Sequence, residues 1–316
     1  MKVVIPGGTG QVGGILAPAF QEAGHEVVVL TRKPAHSAWR TVQWDGETLG
    51  EWAAELDGAD VVINLAGHTV NCRYTAENRR LILQSRVRST EVLGKAIAQA
   101  PRPPRVWLQA STATIYAHRN DAPNDEAHGM LGGSEADAPP AWRFSIDVAT
   151  AWERALNEAA TPHTRKVRMR SALTMSPQRG GIFDAFLRLA RFGLGGRAGS
   201  GRQYVSWIHD QDFSSAVFWL IEHEQLEGAI NLAAPDPLPY SDFMRALRAA
   251  WGIPFGLPAT RWMLEIGALF LRTETELILK SRRVIPSRLA ESGFVFQFPT
   301  WGEAAADLCQ RWRSAR

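Results

Sequence analysis

The stretch Val3-Val4-Ile5-Pro6-Gly7-Gly8-Thr9-Gly10-Gln11-Val12-Gly13 decides how the rest of the chain is read. A short apolar run stopped by Pro-Gly-Gly suits a strand buried on both faces of a parallel sheet. Val12, Ile15, Leu16, Ala19 and Phe20 then fall at helical spacing, and Gly24 is placed to end that helix as its C′ residue. Between strand and helix, the glycines at 7, 10 and 13 each have a mechanical task. One permits a tight turn, one lets the backbone approach a pyrophosphate, and one allows the helix to pack closely on the strand. A glycine-rich turn alone is also compatible with a purely structural βα connection. The strand before it, the helix after it and the βα units that follow favour a dinucleotide cradle, with the helix N-terminus facing the phosphates.

Working outward, Glu26 to Leu30, Asp60 to Leu65 and Arg105 to Gln109 read as further strands, with helices over Thr75 to Gln99 and Ala149 to Ala160. Repeated βα units imply an α/β fold: a Rossmann-type doubly wound parallel sheet covered by helices on both faces. After about residue 170 the pattern loosens. Gly180-Gly181 and the glycines between Gly193 and Gly201 mark loops. Trp207-Ile208 is a short strand, and Asp212 is placed to cap a helix running through Phe213, Val217, Leu220 and Ile221. Phe294 to Phe298 looks strand-like, and Trp262 to Leu271 looks like a buried or amphipathic helix interrupted by Glu265. The expected division is a dinucleotide-binding core of residues 1–170 and 205–234, with a smaller, mostly helical C-terminal lobe of residues 171–204 and 235–316.

Composition narrows the function classes. The 316 residues are 45% hydrophobic and carry 35 basic against 32 acidic side chains, a net charge of only +3. Disorder is excluded, and a basic stripe for nucleic acid is missing. The cysteines, Cys72 and Cys309, are too few for a disulfide framework or a zinc site, and the histidines are dispersed. No signal peptide and no bilayer-spanning run is seen, so a cytoplasmic protein without membrane attachment is expected. Of the 12 tryptophans, Trp39, Trp44, Trp52, Trp107 and Trp219 fall on apolar or amphipathic faces and read as core, a Trp-lined sugar or aromatic site being the other reading.

A NAD-binding strand end carries an acid for the ribose 2′-hydroxyl, whereas this chain reads Thr31-Arg32-Lys33. Two cations where a 2′-phosphate would lie point to NADP(H), the other reading being solvated charges at a strand end.

Gly7 to Gly13, Asn64-Leu65-Ala66-Gly67 and Ser111 together resemble the extended, epimerase-type branch of the short-chain dehydrogenase/reductase superfamily. Ser85-Arg86-Val87 with Thr90, Trp152-Glu153, Gly199 to Gln203, Ser206 to His209, Asn231 to Pro235 and Ser281 to Leu289 are similar to its "epimerase family protein" subgroup. The resemblance covers nearly the whole chain. It implies a Rossmann-type core with Gly7, Gly10, Gln11 and Val12 along the pyrophosphate. Thr31, Arg32 and Lys33 would lie at the 2′-phosphate, and Ala66 and Gly67 near the adenosine. Ser111 would be the hydroxyl that hydrogen-bonds the reacting oxygen.

The superfamily's Tyr and Lys, four residues apart, are absent. Their expected places hold Ser145 and Ala149, and the subgroup commonly lacks the pair as well. Tyr116 is the candidate substitute relay, with an aromatic wall as its other reading. Arg202 in the glycine loop, and Asn71 and Arg73 beyond the third strand, are the candidate substrate ligands; Tyr74 stands beside them. His209 is expected to be structural. The function expected is an NADP(H)-dependent oxidoreductase or epimerase-like enzyme for a small carbonyl or hydroxyl compound. The alternative is an NADP(H)-binding sensor or partner-binding protein with little catalysis. The branch also leaves room for a homodimer.

Overall fold

The computed structural model describes residues 1–33, 37–135, 139–260 and 276–315. Strands β1 (Lys2–Pro6), β2 (Glu26–Thr31), β3 (Arg40–Gln43), β4 (Val61–Asn64), β5 (Val106–Thr112), β6 (Arg165–Ser171) and β10 (Gly228–Leu232) form one sheet, ordered β10-β6-β5-β4-β1-β2-β3. All its neighbours pair in parallel. The Rossmann-type, doubly wound fold expected from the sequence is therefore present. Strand order reverses between β1 and β4, the topological switch point at which such sheets open a ligand crevice.

The twofold repeat of a strand explains why β1 is apolar throughout. Val3 and Ile5 join one core with Leu16, Ala17 and Phe20 of α1 (Gly13–Glu22) and Phe213, Val217 and Leu220 of α5 (Asp210–Glu222). Val4 points the other way, into a core with Val92, Leu93 and Ile97 of α2 (Ala76–Gln99) and Leu156 of α3 (Pro140–Glu158). Thr75 caps α2 by accepting from the Asn78 amide at 3.2 Å, and Gly24 takes φ 77 just past α1, where a left-handed residue closes a helix.

A second apolar core unites α4 (Ile182–Arg191), α6 (Tyr240–Trp251) and the last helix, α9 (Trp301–Ser314), through Phe186, Phe243, Met244, Trp301 and Leu308. Two short strand pairs stand apart from the main sheet. These are β7 (Leu173–Met175) with β9 (Trp207–His209), and β8 (Tyr204–Val205) with β11 (Leu238–Pro239). The short helices α7 (Glu276–Leu279) and α8 (Ser287–Glu291) come between α6 and α9. Leu289 and Phe294 pack on the main core, so the C-terminal segment crosses back over the sheet before it enters α9.

Local expectations changed in three places. Helix α3 begins at Pro140, nine residues ahead of the expected Ala149, because proline is well tolerated in a first turn. His209, not Asp212, caps α5: its Nδ1 accepts from the Gln211 amide at 3.2 Å. The Asp212 carboxylate instead accepts the amides of Gln297 and Phe298 at 2.7 and 3.0 Å. Those two amides are thereby turned away from any ladder, and 294–298 is irregular rather than a strand. The expected helix over Trp262 to Leu271 lies outside the described residues.

His209 is fully buried, stacked on Phe298 with centroids 3.9 Å apart, and its Nε2 meets Asp307 at 3.0 Å. Burial lowers its pKa, so the ring is neutral and structural, as expected. No described helix is long and apolar enough to cross a membrane. Among the described residues no cluster of His, Cys, Asp and Glu has the makings of a metal site.

Candidate functional site: a dinucleotide cleft beside a serine-bearing cavity

The glycines after β1 separate by what a side chain would meet. A Cβ on Gly13 would sit 2.1 Å from the Gly8 carbonyl oxygen, and one on Gly7 would sit 2.7 Å from the Ala66 backbone. Those two are demanded by the fold, and Gly7 also holds φ 74. Gly10 is different: its Cβ would meet only the Gly7 oxygen, at an ordinary 3.7 Å. Protein packing does not require that glycine, whereas a phosphate laid against the backbone does. The Gln11 side-chain nitrogen, buried without a hydrogen-bond partner among the described residues, lies against Gly181 rather than in the cleft. The Gly14 and Ile15 amides at the start of α1 already donate to the Gly10 and Val12 carbonyls, at 2.9 and 3.1 Å, so the glycine turn ahead of them is the part left to meet a phosphate. The open space at Gly10 fits a dinucleotide laid against the turn. Gly10→Ala is expected to leave the thermal midpoint nearly unchanged while weakening NADPH binding by about 1–3 kcal/mol, the usual cost of an overpacked contact. Calorimetric titration reads it.

The cradle opens into a cleft of about 310 Å³ at the switch point. Gly7, Gly10, Thr31, Arg32, Ala66 and Gly67 all line it, which brings together most of the expected cofactor residues. Gln11, Val12 and Lys33 are not among its walls. Val12 is the N-cap of α1 and packs against the core, and Lys33 is exposed just beyond the rim. Arg32 is exposed and has no acidic partner among the described residues. The acids near it are engaged elsewhere: Glu47 pairs with Arg88 at 2.9 Å, and Asp45 accepts from Thr48 and Glu47.

Next to the cleft lies a second cavity of about 280 Å³, lined by Ser111, Ser145 and Ala149 together with Tyr74, Arg86 and Arg282. The places expected for the missing Tyr and Lys thus face the same space as Ser111. The two hollows share a wall. Gly67 lines the cleft and Arg86 lines the cavity, and a Cβ on Gly67 would come within 3.0 Å of the Arg86 guanidinium carbon.

Behind Ser111 runs a buried network. The Ser111 hydroxyl donates to Glu153 Oε1 at 2.7 Å, and Arg170 donates to both Glu153 oxygens, from Nε and Nη2, at 2.8 Å each. Arg170 Nη1 also donates to the Tyr116 hydroxyl at 3.0 Å, which in turn donates to Asn231 Oδ1 at 2.9 Å. Burial works to raise the Glu153 pKa, but the hydrogen bonds and charge of Arg170, with Ser111 and Arg168, carry it below its ordinary value.

Tyr116 is therefore not placed as a relay. It is 2% exposed, its hydroxyl is held by Arg170 and Asn231, and burial raises its pKa. Arg202 also stays out of the cavity: it is exposed, and its amide donates to Ser200 Oγ at 3.2 Å. The glycine loop turns Gln203 inward instead, with Nε2 donating to Ala198 and Ile278 carbonyls at 3.0 and 3.2 Å. Asn71 is exposed and Arg73 lies outside the lining, while their neighbour Tyr74 is part of it. The Tyr74 phenol hydrogen-bonds to Ser145, whose hydroxyl also meets Glu276 Oε2 at 2.6 Å. Glu276 and Arg282, missed as site residues, arrive through the C-terminal segment. Ser206 Oγ clamps that segment by donating to the Arg282 carbonyl at 2.7 Å and accepting the Val284 amide at 2.8 Å.

The family model described as NAD dependent epimerase/dehydratase matches residues 3–233. The chain belongs to that family. Residues 259–308 match a second model, described as a domain of unknown function (DUF1731). The epimerase family protein SDR39U1 of Bos taurus is 31% identical over 312 residues, covering 98% of this chain and 99% of that protein. The crystal structure of human epimerase family protein SDR39U1 (isoform2) with NADPH superposes with a TM-score of 0.85 at 30% identity, covering 98% and 99% of the two chains. UDP-N-acetylglucosamine 4-epimerase from Bacillus cereus shares the fold with a TM-score of 0.76 at 17% identity, covering 99% of each chain.

Proposed function

We propose that this epimerase-family protein is an NADP(H)-dependent oxidoreductase or epimerase-like enzyme acting on a small carbonyl or hydroxyl compound. The observation that carries the reading is the shared wall: the dinucleotide cleft and the Ser111 cavity meet at Gly67 and Arg86. The human relative bound to NADPH supports the choice of cofactor. Gly7 and Gly10 of the turn ahead of α1 would hold the pyrophosphate, and Arg32 the 2′-phosphate. NADPH held there would supply the hydride that reduces a carbonyl carbon. Ser111 would orient the reacting oxygen.

The proton falls to Tyr74 in place of the absent pair. Burial, followed by the nearby Glu276 charge, holds its pKa above the ordinary phenol value. The phenol thus remains protonated near neutral pH and is able to give its proton to the oxygen, being refilled through Ser145.

Two measurements test this reading. NADPH should bind at least tenfold tighter than NADH, about 1.4 kcal/mol, and Arg32→Ala should bring the two affinities together. NADPH oxidation followed over a panel of small aldehydes and ketones should show turnover that Tyr74→Phe suppresses. Equal affinity for NADH would sink the 2′-phosphate assignment, and turnover untouched by Tyr74→Phe would sink the proton route.

A further inference from the structure

Arg86 occupies an unusual position for a cation. It is half-buried on the cavity side of α2, and its Nη1 donates to the backbone carbonyls of His68 and Ile82, at 3.0 Å each. Its Cζ stands 5.0 Å from the Trp152 ring centroid. Among the described residues no carboxylate pairs with it, and its Nε and Nη2 have no acceptor. Burial lowers its pKa to about 10, which still leaves it charged at neutral pH.

Two other charged groups line the cavity, Arg282 and Glu276. Arg282 is 7% exposed, gives its Nε to Thr114 Oγ1 at 3.1 Å, and faces the Glu276 carboxylate. Glu276 also accepts from Ser145 and has Lys280 at 3.9 Å. Arg86 is the lining cation that no carboxylate pairs with among the described residues, in a hollow whose other walls are largely apolar, with Val70, Ile82, Phe144, Val148 and Leu173. A guanidinium in such a place costs desolvation that carbonyl oxygens only partly offset. An oxyanion from outside would complete it, through the planar fork that suits carboxylate and phosphate.

We infer that the substrate of this cavity is a small anion: an apolar body carrying one carboxylate or phosphate, with the oxyanion on the Arg86 fork. This rests on the reading of the cavity as the substrate site beside the cofactor. The volume of about 280 Å³ sets the size, near the lower end of small-molecule pockets. Arg86 then positions the substrate so that its reacting carbon faces the cofactor side of the shared wall and its oxygen faces Ser111.

An oxyanion at Arg86 has two sources, a substrate or the cofactor's own diphosphate, and one experiment separates them. The whole protein is titrated calorimetrically with benzoate, with benzamide as its neutral isostere, and with inorganic phosphate, each with and without saturating NADPH. Benzoate is expected to bind at least tenfold tighter than benzamide, with or without NADPH. Arg86→Met should erase that preference, and Arg86→Lys should retain part of it. NADPH affinity should change less than threefold in either variant.

Equal binding of benzoate and benzamide, or failure of benzoate and phosphate to bind at all, overturns the inference. A preference that survives Arg86→Met overturns it equally. Competition between the anions and NADPH, with NADPH weakened tenfold in Arg86→Met, would assign Arg86 to the cofactor and also overturn it. Failure of NADPH to bind the wild type would strike the proposed function alone, because the titrations without cofactor read the anion site directly.

Discussion

Replacing Glu153 by alanine is expected to destabilise the fold by about 3–5 kcal/mol, the range found when one partner of a buried ion pair is removed. A chemical denaturation curve measures it. Arg170 is 8% exposed and gives Glu153 both Nε and Nη2. Without the carboxylate its charge has only the Tyr116 hydroxyl to meet. Arg168 lies 3.8 Å from Glu153 but is the more exposed of the two arginines, so it reaches water more readily. Removing both charges in Glu153→Met with Arg170→Met should restore much of the lost stability, since an apolar pair of similar volume often equals a buried ion pair. A double variant no better than the single would show that geometry, not the orphaned charge, carries the loss.

The same pair predicts an acid dependence. The Glu153 pKa is below its unfolded value of roughly 4.3. Its contribution is thus fully present above that unfolded value and is lost as pH falls through the folded one. Glu153→Gln should flatten that part of the stability profile and leave neutral-to-alkaline behaviour parallel to wild type.

The network also explains why some of the fold was hidden in the sequence. Strands β1, β2, β4 and β5 show themselves as apolar runs because helices cover both of their faces. Strand β6 reads Arg165-Lys166-Val167-Arg168-Met169-Arg170-Ser171, and its cations disguise it. Those cations have partners that only the folded chain supplies: Arg165 donates to the Leu220 carbonyl at 2.7 Å, and Arg170 to Glu153. Strand β3 is an edge with little burial to mark it, and β10 is a short run after Gly228.

One local error had two symptoms. Asp212 was expected to cap its own helix, and 294–298 to form a strand, because each was read without the other. The amides of Gln297 and Phe298 on the Asp212 carboxylate, 85 and 86 residues away, account for both. The cofactor side was more legible because its logic is local: the clash of Gly13 with Gly8 and the open space at Gly10 lie within one βα turn. The cavity side was assembled from Tyr74, Arg86, Ser111, Ser145, Glu276 and Arg282, which no short-range pattern links. Arg86 did leave a signal, since it stood in the Ser85-Arg86-Val87 motif of the resembling subgroup.

Ser111→Ala is expected to lower turnover by about 10²–10³-fold, the typical effect of removing a hydrogen-bond donor aimed at a developing oxyanion. NADPH affinity should hold, because Ser111 lines the cavity and not the cofactor cleft. The loss should fall on kcat more than on KM, since the donor matters most once charge has built up on the oxygen. In the resting protein the serine proton belongs to Glu153 at 2.7 Å, which leaves the lone pairs of Oγ toward the cavity and suits a substrate hydroxyl.

A carbonyl substrate requires the proton to turn outward. The hold of Glu153 on that proton is weakened by the two hydrogen bonds it already accepts from Arg170. Ser111→Thr keeps the hydroxyl and should retain measurable turnover, whereas Ser111→Ala should not. Each leaves the Glu153–Arg170 pair intact, and the alanine loses a single hydrogen bond to a carboxylate, a cost of about 1.5–3 kcal/mol. Turnover that persists in Ser111→Ala, with NADPH still bound, would reduce Ser111 to a buttress of the Glu153 network. The reacting oxygen would then have to be oriented by Tyr74 and Ser145.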